Sequence, residues 1–528
     1  MEQVAETLLR FPPEGQDVAS LSDEVYDKQI KIHAGRIQNL FKENVGVVAA
    51  HATELLERLN PAVHTYSYLA LLDTIIPTEF ALYPSVQPVI ANKIVTFLAA
   101  FDPRQVRYIG SAFTHVFTAV GSGKIIPAPL AVELLAHALT SIDPSGRMLT
   151  SNHLVLAKLA YHTNNAAAAL PALGKDIVFF PGMASSSSQR SESERLSSRI
   201  LAPPSYISKD TGLTLPIKST QVLEFDYVLG LLHLSVRAWA PAHAAFARVV
   251  SYPTRDNGVS KIMVEAHKFW VLTGLLLFGH VANSPPQTAA SVSRICSSVN
   301  KLYVQIADHF KLTSAESLHV EVALAHEVLA ADGTASLVSE VVAAHPKWQI
   351  ARLRRVYTKL SVTAIRQTLQ RSAPAAPAQG AADDEVASGF TEAEVITLIQ
   401  GMIESSMIKA TLRSTGVDDA QSSAIELDGG QGAYLEFLPE EEELTEAEFG
   451  QRIAAVEARI QALKPLHATT EEYLSLNREY IRQHIRDLMR EKERASGGGG
   501  DDDMGGMMGY DVDMDEDLMM DGPDPVGH

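Results

Sequence analysis

A single cysteine, Cys296, stands in 528 residues. That excludes a disulfide framework and any cysteine-based zinc site, and it fits a reducing compartment. Among 18 histidines no two lie one residue apart, so the His-x-His pair of a loop-borne zinc site is missing. His326-Glu327 is followed by Val-Leu-Ala, which also rules out the helical His-Glu-x-x-His. No Gly-x-Ser-x-Gly elbow occurs. Gly121-Ser122-Gly123-Lys124 has the end of a phosphate loop, but Thr118 replaces the earlier glycine and Ile125 carries no hydroxyl for magnesium. It reads as a turn between helices. The carboxylates Asp383-Asp384-Glu385 sit on a flexible spacer that cannot hold an acid and a base in place. No catalytic residue, metal ligand or cofactor site is expected.

Long apolar runs are also lacking. The longest, Phe269 to Phe278, falls far short of the roughly 20 residues of a membrane span and reads as a buried helix. The first residues, MEQVAETLLRFPPEG, carry acids where a secretory signal needs bases and an apolar run, so no export is expected. Cytoplasm and nucleus are the expected locations. The formal charge of −19 is uneven: residues 501–528 hold ten Asp or Glu and no Lys or Arg. An acidic body with an acidic tail argues against a life on nucleic acid.

At this length two or more structural units are expected. Residues 1–180 read as helical repeats: Val25–Phe41, Val47–Leu59, Tyr66–Ile76, Val89–Phe101, Leu130–Leu139 and Leu154–Leu159 have helical apolar spacing, punctuated by Pro61, Pro77, Pro84 and Pro103. Residues 181–218 form a polar insert with little to bury. Repeats resume over 219–345. Gln221–Ala240 and Pro241–Tyr252 make a helical hairpin, in which Ala242, Phe246 and Pro253 match the second helix of a tetratricopeptide-like repeat. Met263–His280 follows with an apolar centre. His233, His243 and His267 read as packed or surface residues, and Cys296 as a small buried apolar one.

Residues 346–430 change character. A helix runs through Tyr357, breaks at Lys359-Leu360-Ser361, and restarts with Ile365 and Leu369 on one face. After the Ala/Pro/Gly spacer, Thr391 and Glu394 have capping-box spacing ahead of Val395, Leu398, Ile399, Met402 and Ile403. Ile408, Lys409, Ala410, Thr411, Leu412 and Arg413 then alternate with period two, as do Ala424–Leu427. Three helices and a hairpin are the order of a winged helix. From Ser372 to Ile408 there is no Lys or Arg but six acids, so its third helix would be repelled by DNA. The alternating strand instead offers unpaired edge groups to a neighbouring sheet.

Beyond an acidic connector, Leu435–Glu448, a helix is expected over 446–494. Phe449, Ile453, Val456, Ile460 and Leu463 form an a/d seam, Pro465 interrupts it, and Leu474, Ile481, Ile485 and Leu488 continue on one side. Arg478, Arg482, Arg486 and Arg490 lie four apart on another face; a solvated face is the bland reading and a nucleic-acid contact the alternative. Residues 495–528, acidic and rich in Gly and Met, read as disordered.

A helical-repeat array running into a winged helix resembles the PCI-domain family, the shared module of the proteasome lid, the COP9 signalosome and the eukaryotic translation initiation factor three complex. Within it, SKIMVEAHKFWVLTGLLLFGHV (from Ser260), LRRVYTKLSVTAIRQTL (from Leu353) and EAEVITLIQGMIESSMIKATLRSTGVDDAQSSAIEL (from Glu392) are similar to the third-subunit family of the signalosome. The resemblance covers Phe225 to Leu427 best. It implies a mainly α fold, with a TPR-like helical-repeat solenoid, a winged-helix subdomain and a long C-terminal helix. It also implies a non-catalytic scaffold whose partners are other PCI and metalloprotease-type subunits, and indirectly cullin-RING ligases. Assembly would run through the strand Ile408–Arg413 and a helical bundle built on the C-terminal seam. A homologous subunit of the lid or the initiation factor, and a nucleic-acid adaptor, are the alternatives.

Overall fold

The computed structural model describes residues 2–13, 21–77, 82, 86–181, 196–198, 201–254, 258–282, 284–312, 314–372, 390–414, 433–438, 446–475, 485, 486 and 489. The spacer 373–389, the stretch 415–432 with the expected strand Ala424–Leu427, and the tail 495–528 lie outside them. The chain divides into a unit from Met1 to Phe449 and another from Gly450 to His528.

The first unit opens with α1 (Glu2–Leu9), α2 (Asp23–Glu43), α3 (Val45–Arg58), α4 (Thr65–Ile75), α5 (Pro88–Ala99), α6 (Pro103–Val106), α7 (Gly110–Gly121), α8 (Ala128–Ile142), α9 (Ser151–His162) and α10 (Ala166–Leu173). The short α11 (Pro203–Tyr206) precedes α12 (Ser219–Ser235), α13 (Trp239–Val250), α14 (Lys261–Phe278), α15 (Ala290–Val299), α16 (Lys301–Lys311), α17 (Ala315–Leu324), α18 (His326–Ala331) and α19 (Ala335–Leu353). Each helix expected from apolar spacing is present within a few residues. Ends fall where side chains can satisfy free amides: Ser22 accepts from Val25 and Ser260 from Met263.

Successive helices pack on each other, α9 on α12, α12 on α13 and α13 on α14. Large apolar side chains such as Phe97, Phe117, Phe225, Phe246 and Phe310 are fully enclosed, each burial worth roughly 1.5–3 kcal/mol. α14 stops at Gly279, whose φ of 67° is a left-handed cap that its lack of a side chain permits. A Cβ there would lie 2.5 Å from the Trp348 ring. Arg352 donates to the Gly279 carbonyl at 2.9 Å, so the cap also fixes α19 against α14.

Most of the polar run of the insert, 182–195, lies outside the described residues; of those described, 181, 196–198 and 201–218, the stretches 196–198 and 206–215 dock on the N-terminal array. Arg104 Nε donates to the Ser197 carbonyl, and Arg107 Nη1 to the carbonyls of Leu196 and Ser198 at 3.0 and 2.7 Å. Ser197 Oγ donates to the Asp23 carbonyl at 2.6 Å. The guanidinium of Arg104 lies over Tyr26 at 3.7 Å and that of Arg107 over Tyr206 at 3.8 Å. Tyr206, Ile207 and Leu213 are buried. A buried arginine, Arg104, and a half-buried one, Arg107, thus satisfy an irregular backbone at 196–198.

The winged helix runs from the end of α19 through β1 (Lys359–Ser361), α20 (Val362–Ser372), α21 (Glu392–Glu404), β2 (Ala410–Ser414) and β3 (Ala433–Phe437). The order in the antiparallel sheet is β1-β3-β2. The capping box of α21 is reciprocal: Thr391 N–H donates to Glu394 Oε2 at 2.8 Å, and Glu394 N–H to Thr391 Oγ1 at 3.3 Å. Val362, Ile365, Val395, Ile399, Leu435 and Phe437 form its core. Three expectations change here. Lys359–Ser361 is a strand rather than a break, with Leu360 opposite Leu435. α19 ends at Leu353, not Tyr357. β2 pairs with Ala433–Phe437, so Leu435 is core, not connector, and the sheet extends past residue 430.

α22 (Glu446–Ser475) opens with the last residues of the first unit and continues unbroken through the second to Ser475. Pro465 does not interrupt it, contrary to the sequence reading. A proline removes one amide donor; on a helix exposed on all its described sides, water can take the orphaned carbonyl.

Candidate assembly surfaces

The winged-helix sheet has two edges, and hydrogen-bond alternation says which groups face outward. The Leu438 amide donates to the Lys409 carbonyl at 3.1 Å on the β2 side, and the Phe437 amide to the Thr358 carbonyl at 2.8 Å on the β1 side. In an antiparallel pair, hydrogen-bonded and non-hydrogen-bonded positions alternate. Lys409, Thr411 and Arg413 therefore bond inward to β3, which leaves the backbone groups of Ala410, Leu412 and Ser414 turned to an edge that no strand among the described residues covers. On the opposite edge the same rule turns Lys359 and Ser361 outward. This divides the expected edge residues: Ile408 and Ala410 have buried side chains and belong to the core, while Lys409, Thr411, Leu412 and Arg413 are half-buried or exposed.

Glu436, on the central strand, ties both edges together. Lys359 Nζ lies 2.8 Å from Oε1 and Arg413 Nε 3.4 Å from Oε2. The hydrogen bond from Lys359, with the charges of Lys359 and Arg413, holds this carboxyl below the usual carboxylate range. Beside β1, a surface cavity of about 620 Å³ is lined by Ala351, Arg355, Tyr357, Glu436, Phe437 and Leu438 among others, and Val356 next to it is 73 % exposed.

α22 carries the other surface. Phe449, Ile453, Val456, Ile460 and Leu463 are all half-exposed along it. Leu474 lies within the helix. Ile485 is exposed and helical, as is Arg486 of the arginine stripe. Ile481, Leu488, Arg478, Arg482 and Arg490 lie outside the described residues.

The residues weighed for chemistry are accounted for by packing. Cys296 is buried, and burial pushes its thiol up. His243 stacks on Trp270 at 5.5 Å and contacts Thr273 Oγ1 at 3.0 Å. His267 is buried against the same Trp270. Burial pushes both imidazoles, and that of His233, below their ordinary value. Gly121 ends α7 and Lys124 lies in the turn to α8. Among the described residues no three His, Cys, Asp or Glu side chains gather as a metal site would require, and no helix is long and apolar enough to cross a membrane. The sequence reading missed Arg104 and Arg107. The signal available was P-R-Q-V-R, two arginines three apart at the start of an apolar stretch, where a solvated face would be out of place.

The family model described as COP9 signalosome complex subunit 3, N-terminal helical repeats, matches residues 33–188 and 203–293. A COP9 signalosome complex subunit 3 of Neurospora crassa is 33% identical over 517 residues, 97% of this chain and 97% of the relative. The chain belongs to the COP9 signalosome complex subunit 3 family. A second member of the family, from Emericella nidulans, is 30% identical over 370 residues, 68% of this chain and 73% of its own. The one from Drosophila melanogaster is 22% identical over 277 residues, covering 52% and 58%. Membership in this family takes the place of the proteasome-lid and initiation-factor alternatives. The gap in the family model, between residues 188 and 203, falls inside the insert that docks on Arg104 and Arg107.

Proposed function

We propose that the chain is a non-catalytic scaffold subunit of a COP9 signalosome. This complex removes the ubiquitin-like modifier from cullin subunits of cullin-RING ligases. Catalysis would reside in a metalloprotease-type partner, and the chain would work in cytoplasm and nucleus. The observation that carries the reading is the apolar seam of α22: Phe449, Ile453, Val456, Ile460 and Leu463 recur at heptad spacing and stand half-exposed. Such a seam is stabilised by burial against other helices. The edges of the winged-helix sheet, uncovered among the described residues, support a second mode of joining, by strand addition.

The test is Ile453→Asp with Ile460→Asp in the full chain, expressed in cells lacking the native copy. Both positions are exposed, so the helical circular dichroism of the purified variant should not change. The variant should lose co-purification with the other signalosome subunits, and cullins should accumulate in their modified form. Normal co-purification of the double variant would overturn the bundle.

A further inference from the structure

From Leu312 to Pro346 the chain holds no Lys or Arg, while Glu316, Glu321, Glu327, Asp332 and Glu340 fall within it. α17 and α18 occupy the middle of this stretch, separated by Ala325 alone. The Ala325 amide donates to the Glu321 carbonyl and the Leu329 amide to the Ala325 carbonyl, each at 3.0 Å, so helical bonding passes through the joint. Leu318, Ala325 and Leu329 are buried on one side. On the opposite side Val320 is 52 %, Leu324 78 % and Val328 52 % exposed.

At about 100° per residue these three span about 80° of the helix surface, with Glu316 and Glu327 along one flank and Glu321 along the other. Scattered exposed apolar residues need no explanation, but a stripe at i, i+4 and i+8 with charge of one sign on both flanks does. The two remaining acids of the stretch are engaged elsewhere: Asp332 with Lys268 at 3.0 Å and Glu340 with Arg237 at 2.6 Å. The rim is left to the three glutamates, with no cation from their own helices beside them.

We propose that the outward face of α17 and α18 docks an amphipathic helix of another protein, apolar along one stripe and flanked by Lys or Arg. Val320, Leu324 and Val328 would receive the apolar stripe, and Glu316, Glu321 and Glu327 would select its basic flanks. A helix with acidic flanks would be rejected by the same three carboxylates, which makes the face selective as well as sticky. This surface is separate from the winged-helix edges and from α22, and its existence does not depend on the scaffold reading.

The test uses the purified full chain and two labelled peptides of about five helical turns, one of Leu and Lys in amphipathic order and one with Glu in place of every Lys. The Leu/Lys peptide should bind the native chain and the Leu/Glu peptide should not, by fluorescence anisotropy. Leu324→Gln with Val328→Gln should weaken Leu/Lys binding at least about tenfold with circular dichroism unchanged. Glu316→Lys, Glu321→Lys and Glu327→Lys together should reverse the preference between the peptides. Failure of the Leu/Lys peptide to bind, equal binding by the Gln variant, or an unreversed preference in the Lys variant would each overturn the proposal.

Discussion

Gly230 in α12 lies directly under the ring of Phe246 in α13, so close that a Cβ on the glycine would sit 2.6 Å from Cε1 and 2.7 Å from Cζ. Phe246 is fully buried and stacks on Phe269 at 5.2 Å, so the ring cannot swing away. The contact defines the packing distance of the hairpin. In an open helical site Gly→Ala stabilises by up to about 1 kcal/mol. At Gly230 the added methyl overpacks the core, and Gly230→Ala should destabilise by about 1–3 kcal/mol. Gly401, in α21, supplies the control: a methyl added there would meet nothing within 4 Å, and Gly401→Ala should stabilise. Urea unfolding of both variants gives the signs, and two equal signs would refute the argument.

That contact also shows how far the sequence could be read. The spacing of Ala242 and Phe246 located the hairpin, because a small residue and an aromatic one turn on are needed for close helices. It did not reveal that the small partner under the ring is Gly230. Helices were legible because each extends over several turns, long enough for a period to repeat. β1 was not, since three residues cannot display an alternation; only Leu360 meeting Leu435, seventy-five positions later in the chain, makes it a strand. β3 was masked by the glutamate run beginning at Glu440, which drew Leu435 and Phe437 into an apparent connector. Pro465 was overread: a proline breaks a helix most surely where its orphaned carbonyl would be buried, and α22 is exposed along its described length. The docking of Leu196–Ser198 depends on partners from α6 and α2, distant in sequence. For the proposed assembly surfaces, the period-two alternation of Ile408–Arg413 and the heptad spacing of Phe449–Leu463 single out the two elements, but only the register separates the inward backbone of Thr411 from the outward backbone of Leu412.

His153 makes stability depend on pH. It is the third residue of α9, and its Nδ1 accepts the Thr150 amide at 3.1 Å, closing a capping box. That acceptor role requires a neutral ring. Burial pushes the imidazole down from the usual 6.5 to about 4, and His33 and His267 are pushed down to about 4 for the same reason. The unfolded chain therefore binds more protons between these values. The contribution is complete above pH 6.5, is lost as pH falls from 6.5 to 4, and changes no further below that. One such group is worth at most about 3 kcal/mol over the interval. Urea midpoints should fall steadily between pH 7 and pH 4.5. His153→Gln keeps a third-position acceptor for the cap and cannot titrate, so it should flatten this slope in part, the other buried histidines keeping the rest. An unchanged slope would remove His153 from the account.

Leu412 and Thr411, neighbours on β2, should respond oppositely to proline. The Thr411 amide faces β3, opposite Glu436, so Thr411→Pro deletes a ladder bond and drives a ring into the central strand. It should destabilise the winged helix clearly more than Leu412→Pro does, seen as a lower urea midpoint. The Leu412 amide faces away from β3. Leu412→Pro leaves the β2–β3 ladder intact and sacrifices only the packing of a half-buried side chain, about 1–2 kcal/mol. What it does remove is the donor that a neighbouring strand would need. If the chain joins its complex by strand addition at β2, Leu412→Pro should fold, by circular dichroism and a cooperative urea transition, yet fail to co-purify with its winged-helix neighbour. Leu412→Ala, which trims the same side chain and keeps the amide, should still co-purify. Loss of assembly in both variants would trace the interface to the side chain. Retention in both would leave the edge of β1, with the outward groups of Lys359 and Ser361, as the strand that pairs.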